Sequence, residues 1–286
     1  MCQTCGCEGK ENMVTIGKPV NFEPKKQGKK PERAPAAPSP FPWENLKIDR
    51  PAKDPGSEKT REIEVVENLL GENDAAALEN RKYLIGRKIF SLNLMGSPGC
   101  GKTTFIIKTI EALKSEMVIY VIEGDQFGSL DAKRISATGA RVIQINTGNG
   151  CHLDARSVGK ALKELGPQEH SLLFIENVGN LVCPALFDLG ENLRTVMLSV
   201  TEGDDKPIKY APMFHGASTC LINKTDLVDF VDFDLEIARE NLRKINPRQK
   251  VISLSTKSGN GMEEWLTYIR KEIKALKPQE GNTDPA

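Results

Sequence analysis

The chain has 286 residues, 27% of them charged, and its 39 basic and 39 acidic side chains leave no formal net charge. A balanced charge gives no electrostatic attraction to nucleic acid or to a membrane surface, so we expect neither partner. No run approaches the roughly 20 apolar residues of a membrane-spanning helix, and the N-terminus lacks an apolar signal core, so we expect a cytoplasmic protein.

The N-terminal part of the chain differs in composition from the rest. Residues 1–9 carry three closely spaced cysteines, whereas residues 10–56 are rich in proline and lysine and poor in apolar side chains. Such a composition cannot bury enough apolar surface to fold. We predict a disordered arm with a cysteine motif at 1–9 on a flexible linker at 10–56, then a domain at 57–276 and a flexible tail at 277–286.

From residue 57 the sequence alternates between helical and strand patterns. Apolar side chains at three- and four-residue spacings predict an amphipathic helix over 57–85, interrupted near Gly71. Short apolar runs then predict seven strands, at 88–95, 117–123, 141–146, 171–177, 193–200, 219–223 and 251–255. Helices are predicted at 102–115, 130–137, 153–165, 235–245 and 261–275. This alternation predicts an α/β fold with a mostly parallel sheet flanked by helices, whose ligands lie at the carboxyl ends of the strands.

A phosphate-binding sequence, G-x-x-x-x-G-K-[ST], lies between the first of these strands and the next helix. Its glycines let backbone N–H groups turn towards an anion, and the helix N-terminus adds favourable dipole charge. Lys102 is expected to reach the β- and γ-phosphates, and the Thr103 hydroxyl to bind Mg²⁺. The chain is therefore predicted to be a P-loop NTPase. The candidate phosphate-binding residues are Gly96, Ser97, Pro98, Gly99, Cys100, Gly101, Lys102, Thr103 and Thr104.

Carboxylates near two strand ends are candidates for the Mg²⁺ site and for catalysis. Asp125 follows the second predicted strand, and Glu176 begins an E-N-V-G sequence where such proteins usually carry Asp-x-x-Gly. We predict that Asp125 and Glu176 complete the site with Thr103, with Glu123 as the alternative to Asp125. Neither Gln nor His follows Gly179 to orient an attacking water, which predicts slow hydrolysis.

An N-K-x-D sequence at the end of the sixth predicted strand indicates that the base is guanine. The Asp226 carboxylate can accept hydrogen bonds from both N1–H and N2–H of guanine, whereas adenine offers no such pair of donors. Asn223 can brace the loop, and the stem of Lys224 can lie across the base. The end of the seventh strand can supply a backbone N–H for guanine O6, and its candidate residues are Ser255, Thr256 and Lys257.

Several sequences resemble the HypB family, the GTPases that help to insert nickel into [NiFe] hydrogenase. They are GSPGCGKTT, VIEGDQ, NTGNGCHLD, FIENVGNLVCP, SVTEGDDKP, NKTDL and the N-terminal MCQTCGC. The resemblance covers 1–9 and about 60–275, and is more distant to the urease nickel-insertion GTPases. It implies a GTP-dependent homodimer with slow hydrolysis of GTP to GDP. It also implies delivery of Ni²⁺ to a [NiFe] hydrogenase large-subunit precursor, assisted by a HypA-type zinc-binding partner.

Cys2, Cys5 and Cys7 form the first candidate metal site. A flexible peptide can wrap three thiolates around one soft ion, and removal of Met1 would add the α-amine of Cys2 as a fourth donor. One nitrogen and three sulfurs suit square-planar Ni²⁺, although tetrahedral Zn²⁺ is also compatible. The family resemblance favours nickel at these positions.

Cys151, His152 and Cys183 form the second candidate site, for nickel or zinc. Adjacent residues such as Cys151 and His152 rarely chelate an ion without a further ligand. Cys183 lies in the segment after Gly179 that would sense the γ-phosphate, so a shared site would couple metal occupancy to nucleotide state. The resemblance implies that these residues bind Zn²⁺ or Ni²⁺ at a GTP-dependent dimer interface.

Other functions fit part of this pattern. One is a metal buffer with a vestigial or regulatory nucleotide site, and another is a signalling or translation GTPase with incidental cysteines. A third is a related metal-insertion GTPase serving urease or a cobalt pathway. The MCQTCGC sequence and the lack of a His-rich tract weigh against the urease version.

Overall fold

The computed structural model describes residues 58–126, 128–148 and 150–276, with side chains from residue 70 onwards. The cysteine motif predicted at 1–9, the linker at 10–56 and the tail at 277–286 lie outside these residues.

Within the described part, seven strands form one sheet in the order β3-β2-β4-β1-β5-β6-β7, and every neighbouring pair is parallel. This confirms the predicted α/β fold. The strands are β1 Phe90–Gly96, β2 Ile119–Asp125, β3 Arg141–Asn146, β4 Leu172–Glu176, β5 Leu193–Ser199, β6 Thr219–Asn223 and β7 Lys250–Ser253.

Eight α-helices connect and cover these strands in the described part of the chain. They are α1 Glu58–Gly86, α2 Lys102–Leu113, α3 Leu130–Ser136, α4 Ala155–Leu165, α5 Lys206–Lys209, α6 Ala211–His215, α7 Leu235–Ile245 and α8 Met262–Leu276. Short 3-10 helices lie at Cys183–Leu186, Val200–Glu202 and Thr225–Phe230. None of the described helices has the length and apolar character needed to cross a membrane.

The predicted interruption of the first helix near Gly71 is wrong, because α1 continues through it. A glycine costs a helix about 1 kcal/mol relative to alanine, and tertiary contacts can outweigh that cost. Here the side chain of Asn73 donates to the Asp188 carbonyl, and that of Asn80 donates to the carbonyls of Ala155 and Leu189. The helix is thereby attached to the domain beyond the glycine.

Two element boundaries differ from the predictions for local reasons. β1 begins later than expected, because Lys88 has a φ of 54°, outside the strand region. α4 begins at Ala155, because the Asp154 side chain accepts from Ser157 N–H and caps the helix. The short helix α5 at Lys206–Lys209 was not revealed by the strand and helix patterns of the sequence.

Alternate side chains of the strands pack against helices on the two faces of the sheet. One face is covered by α2, α3 and α8, with Phe105, Ile135 and Trp265 in its core. The other is covered by α1 and α4 near β2 and β4, and by α6 and α7 near β5 and β6. The loops at the carboxyl ends of the strands are therefore held on a rigid frame.

Trp265 is the largest fully buried side chain described, and its replacement tests this packing. Its ring lies 4.9 Å from that of Phe105, and its indole N–H donates to Thr109 Oγ1 at 3.1 Å. We expect Trp265→Ala to lower the free energy of unfolding by about 3–5 kcal/mol, measured by urea denaturation. The matched control is Phe230→Ala, since Phe230 is 83% exposed and should change stability by less than about 0.5 kcal/mol. Equal losses in the two variants would contradict this account of the core.

Candidate nucleotide and metal sites

The phosphate loop leaves the carboxyl end of β1, in the middle of the sheet, and enters α2 at Lys102. Gly101, the residue before the helix, has a φ of 106°, and a Cβ there would lie 2.5 Å from Asn223 Nδ2. A side chain at this position would therefore be strained in its backbone and would displace Asn223. The close approach explains why the loop needs glycine here.

The side chain of Lys102 folds back over the phosphate loop. Its ammonium donates to the carbonyls of Gly96 and Ser97, at 3.2 Å in both cases, and the residue is only 8% exposed. Both acceptors are neutral, so a phosphate would be a stronger partner for the same charge. Cys100 faces the core, and burial raises the pKa of its thiol to about 11, so it stays protonated and unreactive.

Three carboxylates border the cleft beside Thr103. The Thr103 hydroxyl donates to Glu176 Oε1 at 2.8 Å, and Glu176 and Glu123 are paired residues of β4 and β2. Asp125, two residues after Glu123, lines the same cleft. Among the residues that the structure describes, the second oxygens of Glu123 and Glu176 are buried and have no hydrogen-bond partner. Buried oxygens that lack donors, next to a threonine hydroxyl, fit the ligand preferences of a Mg²⁺ ion.

The electrostatics of this cluster favour the binding of a cation. Burial raises the pKa of Glu176 to about 7, an effect that Lys102 and the Thr103 hydrogen bond partly oppose. Burial also raises the pKa of Glu123 to about 8, and the neighbouring carboxylates of Glu176 and Asp125 add to the effect. A cation bound among these oxygens would favour their ionised forms.

The predicted guanine-binding segments meet at the next part of the same edge. Asn223 Nδ2 donates to the Cys100 carbonyl at 2.9 Å, while its Oδ1 accepts from Thr256 N–H at 3.2 Å. Lys224 has a φ of 62° and donates through Nζ to the Gly99 carbonyl at 2.7 Å. Asn223 and Lys224 thus tie the end of β6 to the phosphate loop.

Asp226 lines the cleft together with Thr256 and Lys257. Its Oδ1 accepts from the Ser255 hydroxyl at 2.5 Å, which fixes the carboxylate before any base arrives. The cleft has a volume of about 670 Å³ and reaches from Asp226 past Lys102 to Glu176. It is one continuous space that joins the predicted base, phosphate and Mg²⁺ positions.

Cys151, His152 and Cys183 converge although they come from different connections. One potential ligand atom of each lies within 4.8 Å of the others. The two sulfurs are 2.7 Å apart, and Cys151 Sγ is 3.6 Å from His152 Nδ1. Two thiols and one imidazole suit Zn²⁺ or Ni²⁺. The structure thus brings the three predicted ligands together, whereas Cys2, Cys5 and Cys7 lie outside the described residues.

The imidazole of His152 is held in place by Phe187. The ring centroids are 3.9 Å apart with an interplanar angle of 27°, and Arg194 fixes the Phe187 carbonyl at 3.1 Å. Burial lowers the pKa of His152, although Asp154 acts in the opposite direction. The neutral form of the ring, which is the form that binds metals, is therefore favoured.

Comparison with known proteins identifies the family of this chain. Residues 90–253 match the nucleotide-binding domain of the CobW/HypB/UreG family. The hydrogenase maturation factor HypB of Azotobacter chroococcum mcd 1 is 46% identical over 282 residues, which cover 95% of this chain and 92% of that protein. The chain belongs to the HypB family.

Two solved HypB structures resemble the described domain. That of Archaeoglobus fulgidus HypB is 41% identical with a TM-score of 0.67, covering 71% of this chain and 99% of its own. That of Helicobacter pylori HypB in complex with nickel is 34% identical with a TM-score of 0.67, covering 71% of this chain and 96% of its own. The fold and the nucleotide-binding domain are therefore those of HypB.

Some contacts in this HypB domain were missed by the sequence reasoning. The Ser97 hydroxyl donates to Glu202 Oε2 at 2.6 Å, linking the phosphate loop to the segment after β5. Arg134 also lines the cleft and donates to Thr104 Oγ1 at 3.4 Å. Neither contact has a sequence signature, because both join segments that are distant in the chain. Glu123 differs from Ser97, Glu202 and Arg134 in this respect. It lies two residues before Asp125, so strand alternation predicts that both carboxylates point to the same side of the sheet.

Proposed function

We propose that this HypB-family protein is a GTP-hydrolysing nickel metallochaperone that assists GTP-dependent insertion of Ni²⁺ into a [NiFe] hydrogenase large subunit. The observation that carries the proposal is the position of the three-ligand cluster. Cys183 lies four residues after Gly179, which lines the nucleotide cleft. Another residue of the cleft lining, Gln126, donates through Nε2 to the carbonyl of Gly150, the neighbour of Cys151, at 3.4 Å. A metal bound there can respond to the nucleotide.

The choice of GTP rests on the base end of the cleft. The Asp226 carboxylate, already oriented by Ser255, can accept from N1–H and N2–H of guanine. Adenine would leave that carboxylate desolvated without donors, which is a strong basis for discrimination.

Hydrolysis is proposed to use charge stabilisation by groups that are already in place. Lys102 and the backbone N–H groups of the phosphate loop hold the β- and γ-phosphates. Thr103, Asp125 and Glu176 would hold Mg²⁺, with Glu123 beside them. When bound, Mg²⁺ supplies positive charge that neutralises the phosphate oxygens. Asn180 and Leu181 follow Gly179 where a water-orienting Gln or His could stand, so the intrinsic rate is expected to be slow.

Nickel is the cargo in this proposal. Cys2, Cys5 and Cys7 are proposed to bind Ni²⁺, and Cys151, His152 and Cys183 to bind Ni²⁺ or Zn²⁺ during transfer. A GTP-dependent homodimer, a HypA-type accessory protein and the hydrogenase precursor are the proposed partners, in the cytoplasm. The nickel in the Helicobacter pylori HypB complex supports the choice of metal.

A nickel titration tests this proposal. Full-length protein and a Cys2/Cys5/Cys7→Ala variant are each titrated with GDP and with a non-hydrolysable GTP analogue, while thiolate-to-metal absorption and molecular mass are followed. We expect the variant to lose the tight nickel site. The remaining weaker site should respond to nucleotide and follow dimer formation.

Two outcomes would count against the proposal in different ways. Equal nickel binding by both proteins would mean that residues 1–9 do not carry the metal. A nickel affinity that is the same with GDP and with the GTP analogue would favour a metal buffer with an uncoupled nucleotide site.

A further inference from the structure

The side chain of Asn180 contacts both segments that carry the second metal site. Its amide nitrogen donates to the Cys151 carbonyl at 3.3 Å, and its amide oxygen accepts from Val182 N–H at 2.8 Å. Cys151 and Cys183 are 32 residues apart and belong to the β3–α4 and β4–β5 connections. One side chain therefore bridges the two segments whose relative position sets the distance between the thiols.

The backbone of the same residue is attached to the phosphate loop. Asn180 N–H donates to the Gly96 carbonyl at 3.1 Å, in an isolated antiparallel bridge between the two residues. The preceding residue, Gly179, lies so close to the loop that a Cβ there would be 2.9 Å from the Pro98 side chain. Asn180 thus stands at the junction of the phosphate loop and the metal site.

The Gly96 carbonyl also accepts from Lys102 Nζ, at 3.2 Å. A bound phosphate competes for this ammonium, because a charged acceptor makes a stronger hydrogen bond than a neutral carbonyl. When Lys102 turns to the phosphate, the Gly96 carbonyl loses the Lys102 donor and keeps the Asn180 N–H. The nucleotide thereby changes a hydrogen bond made directly to Asn180.

We propose that Asn180 is the positioning residue that transmits nucleotide occupancy to the Cys151, His152 and Cys183 ligand set. This inference rests on the proposed function, since it assumes that the set binds metal in a nucleotide-dependent way. Side chains of the cleft lining also reach the Cys151 connection. Gln126 Nε2 donates to the Gly150 carbonyl at 3.4 Å, and Asn177 Oδ1 accepts from Leu153 N–H at 3.1 Å. Within the described residues, neither of these side chains hydrogen-bonds to the Val182–Cys183 segment, whereas the Asn180 side chain hydrogen-bonds to both segments.

The test uses the Cys2/Cys5/Cys7→Ala protein as the parent, so that the second site is measured alone. Asn180→Ala removes the contacts to Cys151 and Val182 but keeps the backbone bridge to Gly96. In the parent, we expect nickel affinity to differ about fivefold or more between GDP and a non-hydrolysable GTP analogue. In Asn180→Ala this ratio should fall to about 1, while nucleotide affinity stays within about twofold of the parent.

Thiol reactivity gives a second readout that needs no metal. Cys100 and Cys220 are buried, so in this parent a thiol reagent reports on Cys151 and Cys183. The modification rate should depend on the nucleotide in the parent and become independent of it in Asn180→Ala. The matched control is Asn146→Ala, an exposed asparagine at the start of the same connection that hydrogen-bonds to Gln144. It should keep the response of the parent.

Asn180→Asp keeps the oxygen that accepts from Val182 and loses the donor to Cys151, and its near-identical shape lets it replace the alanine variant if that protein does not fold. A nucleotide response in the Asn180 variants equal to that of the parent would overturn the role of Asn180 and leave the proposed function standing. A parent that binds nickel but ignores the nucleotide would overturn the proposed coupling, and the role of Asn180 with it.

Discussion

Replacing Lys102 by alanine is expected to slow GTP hydrolysis at saturating nucleotide by about 10²–10³-fold. The Lys102 ammonium is almost fully buried over the phosphate loop, where its charge is poorly screened by water. It also opposes the rise in the pKa of Glu176 that burial causes. The substitution thus removes a phosphate ligand and makes an ionised Glu176 harder to maintain, which weakens the proposed Mg²⁺ site. Single-turnover phosphate release at several Mg²⁺ concentrations measures both effects.

Lys108→Ala is the matched control for this experiment. Lys108 lies on the same helix, α2, but is half exposed and pairs with Glu111 on the surface at 2.9 Å. Such surface pairs contribute little, so hydrolysis should stay within about twofold of the wild type. A Lys102→Ala protein that still folds and hydrolyses GTP at more than a tenth of the wild-type rate would show that charge stabilisation lies elsewhere.

The proposed phosphate and guanine segments can be predicted from the sequence because their chemistry is local. Lys102 and Thr103 begin a helix directly after a buried strand, and Asn223 and Asp226 lie within four residues of each other. Once the strands are known to be parallel, their carboxyl ends meet at one edge, and the side chains on those loops must face a common cleft. A parallel sheet with these strand ends is therefore sufficient to predict that the segments share one cleft.

The proposed metal site depends on tertiary contacts that sequence spacing does not reveal. Cys183 meets Cys151 because the segment after β4 is held to Gly96 and its following residues to Arg194. The stacking of His152 on Phe187 depends on the same packing. The uninterrupted α1 has a similar origin, since buried contacts of Asn80 outweigh the low helix propensity of Gly71. Local patterns carry no information on such long-range contacts.

Replacing Asp226 by asparagine is expected to weaken GTP binding by at least about 100-fold and to create affinity for xanthosine triphosphate. An asparagine amide keeps the acceptor for N1–H but presents N–H groups to the guanine 2-amino group, so two donors face each other. Xanthine carries a carbonyl at that position and can accept from the new amide. The Ser255 hydroxyl can donate to the asparagine oxygen as it does to Asp226, so the turn should keep its conformation.

Asp229→Asn is the matched control, because it distinguishes an effect on base specificity from a simple loss of negative charge. Asp229 lies in the same 3-10 helix, Thr225–Phe230, but is exposed and does not line the cleft. Its substitution removes the same charge from the same turn and should leave the affinities for GTP and for xanthosine triphosphate within about twofold of the wild type.

Competition of GTP and of xanthosine triphosphate with a fluorescent GDP analogue measures the change in nucleotide preference. If Asp226→Asn weakened GTP and xanthosine triphosphate equally, Asp226 would be a structural residue of the turn and the base would be recognised by other groups. A reversal of preference confined to Asp226→Asn would assign recognition of the base to its carboxylate.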